Sequence, residues 1–78
     1  MPRVAEEDLV TSETYKAAIT ELSNLPDDYR EAVILCDVEE MSYEDISEAL
    51  AISMSNVKIR IHRGREMLRK RLNERGYV

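Results

Sequence analysis

Three short interruptions divide this chain of 78 residues into four segments of helical pattern, and they limit its possible folds more than any other feature. Leu25-Pro26 ends the first segment, because the residue before a proline is pushed out of the α region. Residues 39–41 and residues 51–53 form the other two interruptions. Gly76 is typical of a helix end. The division predicts an all-α domain of four helices.

The apolar residues of each segment recur at the spacing of one helix face. We expect the first helix to begin near Thr11 or Ser12, with residues 1–10 as a flexible linker and residues 11–78 as the domain. The run 32–36 fits a strand by periodicity alone, but Pro26 and the acidic pair after it favour a helix start. The predicted inward stripes are Tyr15, Ala18, Ile19 and Leu22; Tyr29, Ala32, Val33 and Cys36; Ile46, Ala49 and Leu50; and Val57, Ile61, Gly64, Leu68 and Leu72.

Cysteine and histidine are too scarce for several kinds of site. Cys36 is the only cysteine, so no intramolecular disulfide is possible, and with His62 it leaves too few ligands for structural zinc. Acidic pairs such as Asp27 and Asp28 are better explained as helix caps than as catalytic carboxylates. We therefore expect no metal, no cofactor and no enzymatic activity. No stretch approaches about 18 uncharged apolar residues, so no membrane span is predicted.

The net charge of −5 hides a strong asymmetry along the chain. Residues 1–50 carry 14 acidic and three basic side chains, a net charge of −11. Residues 51–78 carry eight basic and two acidic side chains, a net charge of +6. Such segregation indicates an acidic half and a basic half with different partners.

The third and fourth helices with their three-residue turn form a predicted helix-turn-helix. Ser42, with Asp45 three residues later, is the expected cap of the third helix, and Ser53 is the expected cap of the fourth. The fourth helix then has a polar and basic outer face, which suits the major groove of DNA. Opposite its inward stripe lie Ser55, Asn56, Ile59, His62, Arg63 and Glu66, flanked by Lys58, Arg60, Arg65 and Arg69.

Three motifs carry a closer resemblance, and together they span about 48 residues, from Leu25 to Leu72. They are Leu25-Pro26 with Tyr29-Arg30-Glu31, the run Met-Ser-Tyr-Glu-Asp-Ile at 41–46, and Val-Lys-Ile-Arg-Ile-His-Arg-Gly-Arg at 57–65 with Leu68-Arg69. At these separations the chain resembles region 4 of the extracytoplasmic-function (ECF) group of bacterial RNA polymerase sigma factors. That region is a helix-turn-helix domain without a wing.

The resemblance implies that the domain recognises the −35 promoter element in the bacterial cytoplasm. It also implies docking on the flap of the polymerase β subunit and capture by an anti-sigma factor. By motif position, the base-facing residues would be Lys58, Ile59, His62 and Arg63, and the backbone contacts would be Ser55, Asn56, Arg60 and Arg65. The groove for a protein partner would be lined by Tyr15, Ile19, Leu22, Tyr29 and Val33.

Three positions depart from the family pattern. Ser47 stands where a small alanine is usual, and it would fit if its hydroxyl bonds back to a carbonyl one turn earlier. Ala51 stands where glycine is common, at a cost of about 1 kcal/mol if the turn needs a positive φ. Ile59 replaces a frequently polar base-facing residue and suits a thymine methyl group, which predicts an altered promoter sequence.

Two other functions also fit the pattern. One is a DNA-binding domain of the LuxR-type response regulators, which shares the four-helix plan. The other is a protein-interaction module in which the groove of the first two helices binds an anti-sigma factor or a polymerase flap helix. Under the sigma interpretation we expect a further domain of roughly 100 residues upstream, so the chain would be one module of a longer protein.

Overall fold

The computed structural model describes the backbone of residues 5–77 and the side chains of residues 13–77, and this part of the chain contains helices and no strand. The helices are α1 (Ala5–Leu22), α2 (Asp27–Val33), α3 (Tyr43–Leu50) and α4 (Met54–Glu74), with a π-helical turn (Ile34–Val38) directly after α2. The prediction of four helices in an all-α domain is confirmed. None of the helices in the described range is long and apolar enough to cross a membrane.

The predicted helix caps are confirmed. The Ser42 hydroxyl accepts a hydrogen bond from the Asp45 amide at 3.0 Å, and the Ser53 hydroxyl accepts one from the Asn56 amide at 3.1 Å. Each bond satisfies an amide that has no partner within its helix. Gly76, with φ +83°, lies just past the end of α4 in the left-handed conformation that glycine adopts without strain.

The first helix begins at Ala5, so the expected start at Thr11 or Ser12 was wrong. Residues 5–10 contain neither glycine nor proline and include good helix formers, so nothing interrupts the helix there. Residues 1–4 of the predicted linker lie outside the described residues.

The buried face of α1 is rotated from the predicted one. Ala17 and Leu22 are buried, whereas Tyr15 is 54% exposed and Ile19 is 42% exposed. Glu21 is also buried, because its carboxylate lies between two arginines of the C-terminal part of the chain. A prediction of the buried face from hydrophobicity alone leaves out a glutamate that is buried through an ion pair. The predicted face of α1 was therefore centred on Tyr15 and Ile19.

Two clusters of buried side chains hold the helices together. The first consists of Ala32, Ile46, Val57 and Ile61 and joins α2, α3 and α4. The second consists of Leu22, Leu25 and Val33 and closes the connection from α1 to α2, with Met67 and Leu68 of α4 against it. Ala49 was predicted to face inward but is exposed, since Ile46 and Leu50 suffice to pack α3 on the first cluster.

Gly64 lies where α4 crosses α2. A methyl group added there would be 2.5 Å from Val33 Cγ2 and 3.2 Å from the Tyr29 carbonyl oxygen. Because real side chains do not approach so closely, any side chain at residue 64 would require α4 or Val33 to shift.

Helix α3 ends at Ala51, whose backbone lies in the left-handed region, at φ 56° and ψ 46°. Replacing Ala51 by glycine should raise the free energy of unfolding by about 0.5–1 kcal/mol, because glycine removes the strain of the β-carbon there. The matched change, Ala49→Gly, affects an exposed α3 residue with helical backbone and should lower the free energy of unfolding by about 0.5–1 kcal/mol. Urea unfolding of both variants checks the pair, and a change of the same sign in both would contradict this explanation of the turn.

Candidate nucleic-acid interface

The helix-turn-helix rests on α2 through buried side chains of both its helices. Ile46 of α3 and Val57 and Ile61 of α4 are each at most 1% exposed and pack with Ala32 of α2. Since this packing uses one side of α4, the opposite side remains on the surface. The fold therefore supports a projecting helix of 21 residues with one free face.

Two hydrogen bonds join α3 to the turn that follows it. The Ile52 amide donates to the Ser47 carbonyl at 3.1 Å, and the Ser47 hydroxyl donates to the Ile52 carbonyl at 2.5 Å. The expected bond from Ser47 to a carbonyl one turn earlier was wrong. The hydroxyl bonds forward because Ala51, in the left-handed conformation, turns the Ile52 carbonyl back over α3. Ser47 thus joins α3 directly to the turn.

The four residues predicted to face DNA bases lie together on the free face of α4. Lys58, Ile59, His62 and Arg63 are all exposed, and Ile59 is 45% exposed. Their successive spacings of one, three and one residues gather them within two helical turns. The face presents two cations, one imidazole and one apolar group, which are groups that can contact base edges and phosphates.

The start of α4 offers fewer amides to a phosphate than the sequence suggested. The Asn56 amide is already bonded to Ser53, which leaves the amides of Met54 and Ser55 as the available donors. The side chains of Ser55 and Asn56 are exposed beside them. A phosphate at this helix start would meet two amides and two short polar side chains.

The two arginines predicted to contact the DNA backbone both pair with carboxylates of the acidic half. Arg60 Nη1 lies 3.8 Å from Asp28 Oδ1. Arg65 makes two bonds to Asp37, from Nε to Oδ2 at 3.0 Å and from Nη2 to Oδ1 at 2.5 Å. These pairs join the two flanks of α4 to α2 and to the π-helical turn, respectively.

Arg65 also changes the acidity of the groups around it. Its hydrogen bonds hold the pKa of Asp37 below the usual aspartate value. Burial raises the pKa of the neighbouring Cys36 thiol, and the charge of Asp37 raises it further. Cys36, half-buried against the first cluster, is therefore a poorer nucleophile than a free cysteine.

The depressed pKa of Asp37 predicts the direction of a pH effect. The Asp37–Arg65 pair should contribute fully above the ordinary aspartate pKa of about 4, and this contribution should be lost as the pH falls below it. Because both side chains are more than a third exposed, solvent screens the pair, and Asp37→Asn should lower the free energy of unfolding at pH 7 by at most about 1 kcal/mol. Urea unfolding at pH 7, 5, 4 and 3 measures the effect. The difference in free energy of unfolding between wild type and variant should disappear at the lowest pH. A constant difference would contradict this prediction. Glu48→Gln, at an exposed carboxylate of α3, is the control.

The residues predicted to line a partner groove do not form one surface. Leu22 is 5% exposed and Val33 is 1% exposed, so both belong to the second buried cluster and their assignment to a groove was wrong. They are covered because α4 packs on this cluster, with Met67 and Leu68 against it and Gly64 beside Val33. Tyr29 is half-buried, and Tyr15 and Ile19 are exposed one turn apart on α1. An apolar face on α1 remains available to a partner.

Sequence reasoning missed the carboxylates that hold α4 to the rest of the domain. Glu21 binds Arg75 at 2.9 Å and Arg71 at 3.5 Å, and Asp37 binds Arg65. The charge asymmetry between the halves was the available signal, since it requires the two halves to face each other somewhere. Among the described residues, no group of three histidine, cysteine or acidic side chains is arranged to hold a metal ion.

Comparisons with known proteins agree with this geometry. A family model described as "Sigma-70, region 4" matches residues 15–68. The ECF RNA polymerase sigma factor SigW of Bacillus subtilis is 41% identical over 69 residues, which cover 88% of this chain and 37% of that protein. The ECF RNA polymerase sigma-E factor of Haemophilus influenzae is 34% identical over 67 residues, which cover 86% of this chain and 35% of that protein.

A third relative is more similar over a shorter stretch. The ECF RNA polymerase sigma factor SigE of Mycolicibacterium smegmatis is 50% identical over 48 residues, which cover 62% of this chain and 19% of that protein. The chain thus spans between a fifth and two fifths of the length of these relatives. The matches favour the sigma interpretation over the LuxR-type alternative. The chain belongs to the sigma-70 region 4 family, and the three relatives named here are ECF sigma factors.

Proposed function

We propose that this domain recognises the −35 promoter element as part of a sigma factor that directs bacterial RNA polymerase to transcription initiation. The observation that carries the proposal is the free face of α4, where Lys58, Ile59, His62 and Arg63 are exposed together while Val57 and Ile61 anchor the helix from behind. A helix held in this way can enter the major groove without disturbing its own core. This role implies the bacterial cytoplasm, where the polymerase acts.

The side chains of the free face have distinct roles in the proposed complex. Arg63 and Lys58 suit the acceptor edge of guanine or a phosphate, and Ile59 suits the methyl group of thymine. Met54 and Ser55 supply amides for a phosphate at the start of α4. The acidic half of the chain repels DNA and so restricts docking to this face.

The proposal extends to a protein-docking role for α1. Tyr15 and Ile19 are four residues apart on the same side of the helix and remain 54% and 42% exposed, which is unusual for an aromatic and a branched apolar side chain. We expect this face to meet the polymerase β flap or an anti-sigma factor. A titration with a flap peptide should show binding that the double change Tyr15→Ala with Ile19→Ala weakens, while DNA binding stays unchanged. A peptide that binds the double variant equally well would argue against this face.

Selection from a pool of random DNA duplexes tests the DNA-binding role directly. The chain should enrich one short motif, and binding to that motif should weaken with salt, with a log–log slope of about −0.9 for each phosphate that is neutralised. A pool that stays random after selection would contradict sequence recognition. Affinity that is insensitive to salt would contradict the phosphate contacts.

A further inference from the structure

The arginines of the basic half differ in what they already bind. Among the described residues, Arg63 has no carboxylate within ion-pair distance. Each of the other five arginines after residue 50 pairs with a carboxylate of this chain: Arg60 with Asp28, Arg65 with Asp37, Arg69 with Glu66, and Arg71 and Arg75 with Glu21. The basic half therefore offers DNA fewer free cations than its composition suggests.

Arg65 is the most firmly held of the arginines that flank the free face. Its guanidinium meets the Asp37 carboxylate through two bonds, at 3.0 and 2.5 Å, and Nη2 also lies 3.5 Å from Cys36 Sγ. Arg60 has a single contact, at 3.8 Å. A two-bond arginine–carboxylate pair fixes the orientation of both groups, whereas one long contact does not.

Asp37 lies in the most irregular part of the backbone. It belongs to the π-helical turn Ile34–Val38, whose bonds include the Glu39 amide to the Ile34 carbonyl at 3.0 Å. The Met41 amide donates to the Leu35 carbonyl at 2.9 Å. Glu40, directly before Met41, has a positive φ of 57°. The Asp37–Arg65 pair, 28 residues apart in sequence, joins this turn to α4.

A DNA phosphate gains little by taking Arg65 from Asp37. The exchange would replace one charge-assisted pair with another and would leave an unpaired carboxylate beside the DNA, which repels it. Arg63 has no such carboxylate to leave behind. The two arginines are only two positions apart on α4, yet their chemistry toward DNA differs.

Resting on the proposed function, we propose that Arg65 is a positioning residue that stays on Asp37 while α4 contacts DNA. It holds α4 against the π-helical turn and so fixes the direction in which Arg63 and His62 project. Arg65 then adds no phosphate contact of its own. Lysine cannot replace it, because an ammonium group does not form the two-bond geometry.

Lysine and alanine variants separate positioning from phosphate contact. In titrations of the chain with the selected duplex and a scrambled one, Arg65→Lys and Arg65→Ala should both reduce the preference for the selected duplex, by about fivefold. Neither variant should change the slope of the logarithm of the binding constant against the logarithm of the salt concentration. The matched control is Arg63→Ala, which removes a direct contact of the free face with DNA and should weaken binding to the selected duplex by roughly 5- to 150-fold.

A phosphate-contacting Arg65 would give the opposite pattern. Arg65→Lys would bind like wild type, and Arg65→Ala would reduce the magnitude of the slope by about 0.9. That result would overturn the inference while leaving the proposed function intact. A wild-type chain without preference for any duplex would instead contradict the proposed function.

Hydrogen exchange of the unbound chain tests the positioning role independently of DNA. If the pair holds the π-helical turn, exchange of the Glu39 and Met41 amides should be about fivefold faster in both Arg65→Lys and Arg65→Ala. The Asn56 amide, bonded to Ser53 at the far end of the turn between α3 and α4, is the internal reference. Wild-type exchange rates at Glu39 and Met41 in the lysine variant would overturn the inference.

Discussion

Replacing Gly64 by alanine should lower the free energy of unfolding by about 1–2 kcal/mol, although alanine is the better helix former. The added methyl group would be 2.5 Å from Val33 Cγ2. Because Val33 is 1% exposed, its side chain has little room to move away from that methyl group. The gain of up to about 1 kcal/mol in helix propensity offsets only part of the overpacking. Urea unfolding of the variant measures the net effect.

Removing the opposing side chain provides the control. Val33→Ala alone should be destabilising because it leaves a cavity in the second buried cluster. In that background, Gly64→Ala should cost less than half of what it costs in wild type, since the methyl group then enters the vacated space. Equal costs in the two backgrounds would mean that contact with Val33 is not the reason for glycine at this position.

Replacing Arg63 by alanine should weaken binding to the selected duplex by about 1–3 kcal/mol, or roughly 5- to 150-fold. Arg63 is exposed on the free face of α4 and, within the described residues, has no ion-pair partner that would hold it away from DNA. Anisotropy titrations with the selected duplex and with single-base variants measure the effect. Relaxed preference at one base would identify a base contact, and a uniform loss would identify a phosphate contact.

Lys16→Ala is the matched control for this loss of one positive charge. Lys16 is exposed on α1, which is not part of the helix-turn-helix, so its removal should change affinity less than twofold. Equal losses in the two variants would show that total charge, rather than the face of α4, determines binding.

Local signals allowed much of this fold to be predicted from the sequence. Ser42 and Ser53 were predicted as caps because a side-chain oxygen there satisfies an amide of its own helix. The inward stripe of α4 was correct because Val57, Ile61, Gly64, Leu68 and Leu72 recur three or four residues apart, which places them on one side of a helix. The free face of α4 followed from the same spacing.

What the sequence could not provide depends on contacts between distant residues. The burial of Glu21 requires Arg71 and Arg75, which lie about 50 residues away, and hydrophobicity alone excludes a glutamate from a buried face. The π-helical turn contains Asp37, which binds Arg65 of α4, and Leu35, which packs on the first cluster, and both contacts involve residues distant in the sequence. Leu22 and Val33 were assigned to a groove because the α4 residues packed on their cluster, Met67 and Leu68, are distant in the sequence.

The central claim is that the free face of α4 contacts DNA while the acidic half remains outside the complex. A titration of the isotope-labelled chain with the selected duplex, followed by backbone amide chemical shifts, tests it most directly. The largest changes should fall at Ser55, Lys58, Ile59, His62 and Arg63, with α1 and the acidic start of α2 nearly unchanged. Changes centred on Tyr15 and Ile19, or none on α4, would contradict the claim.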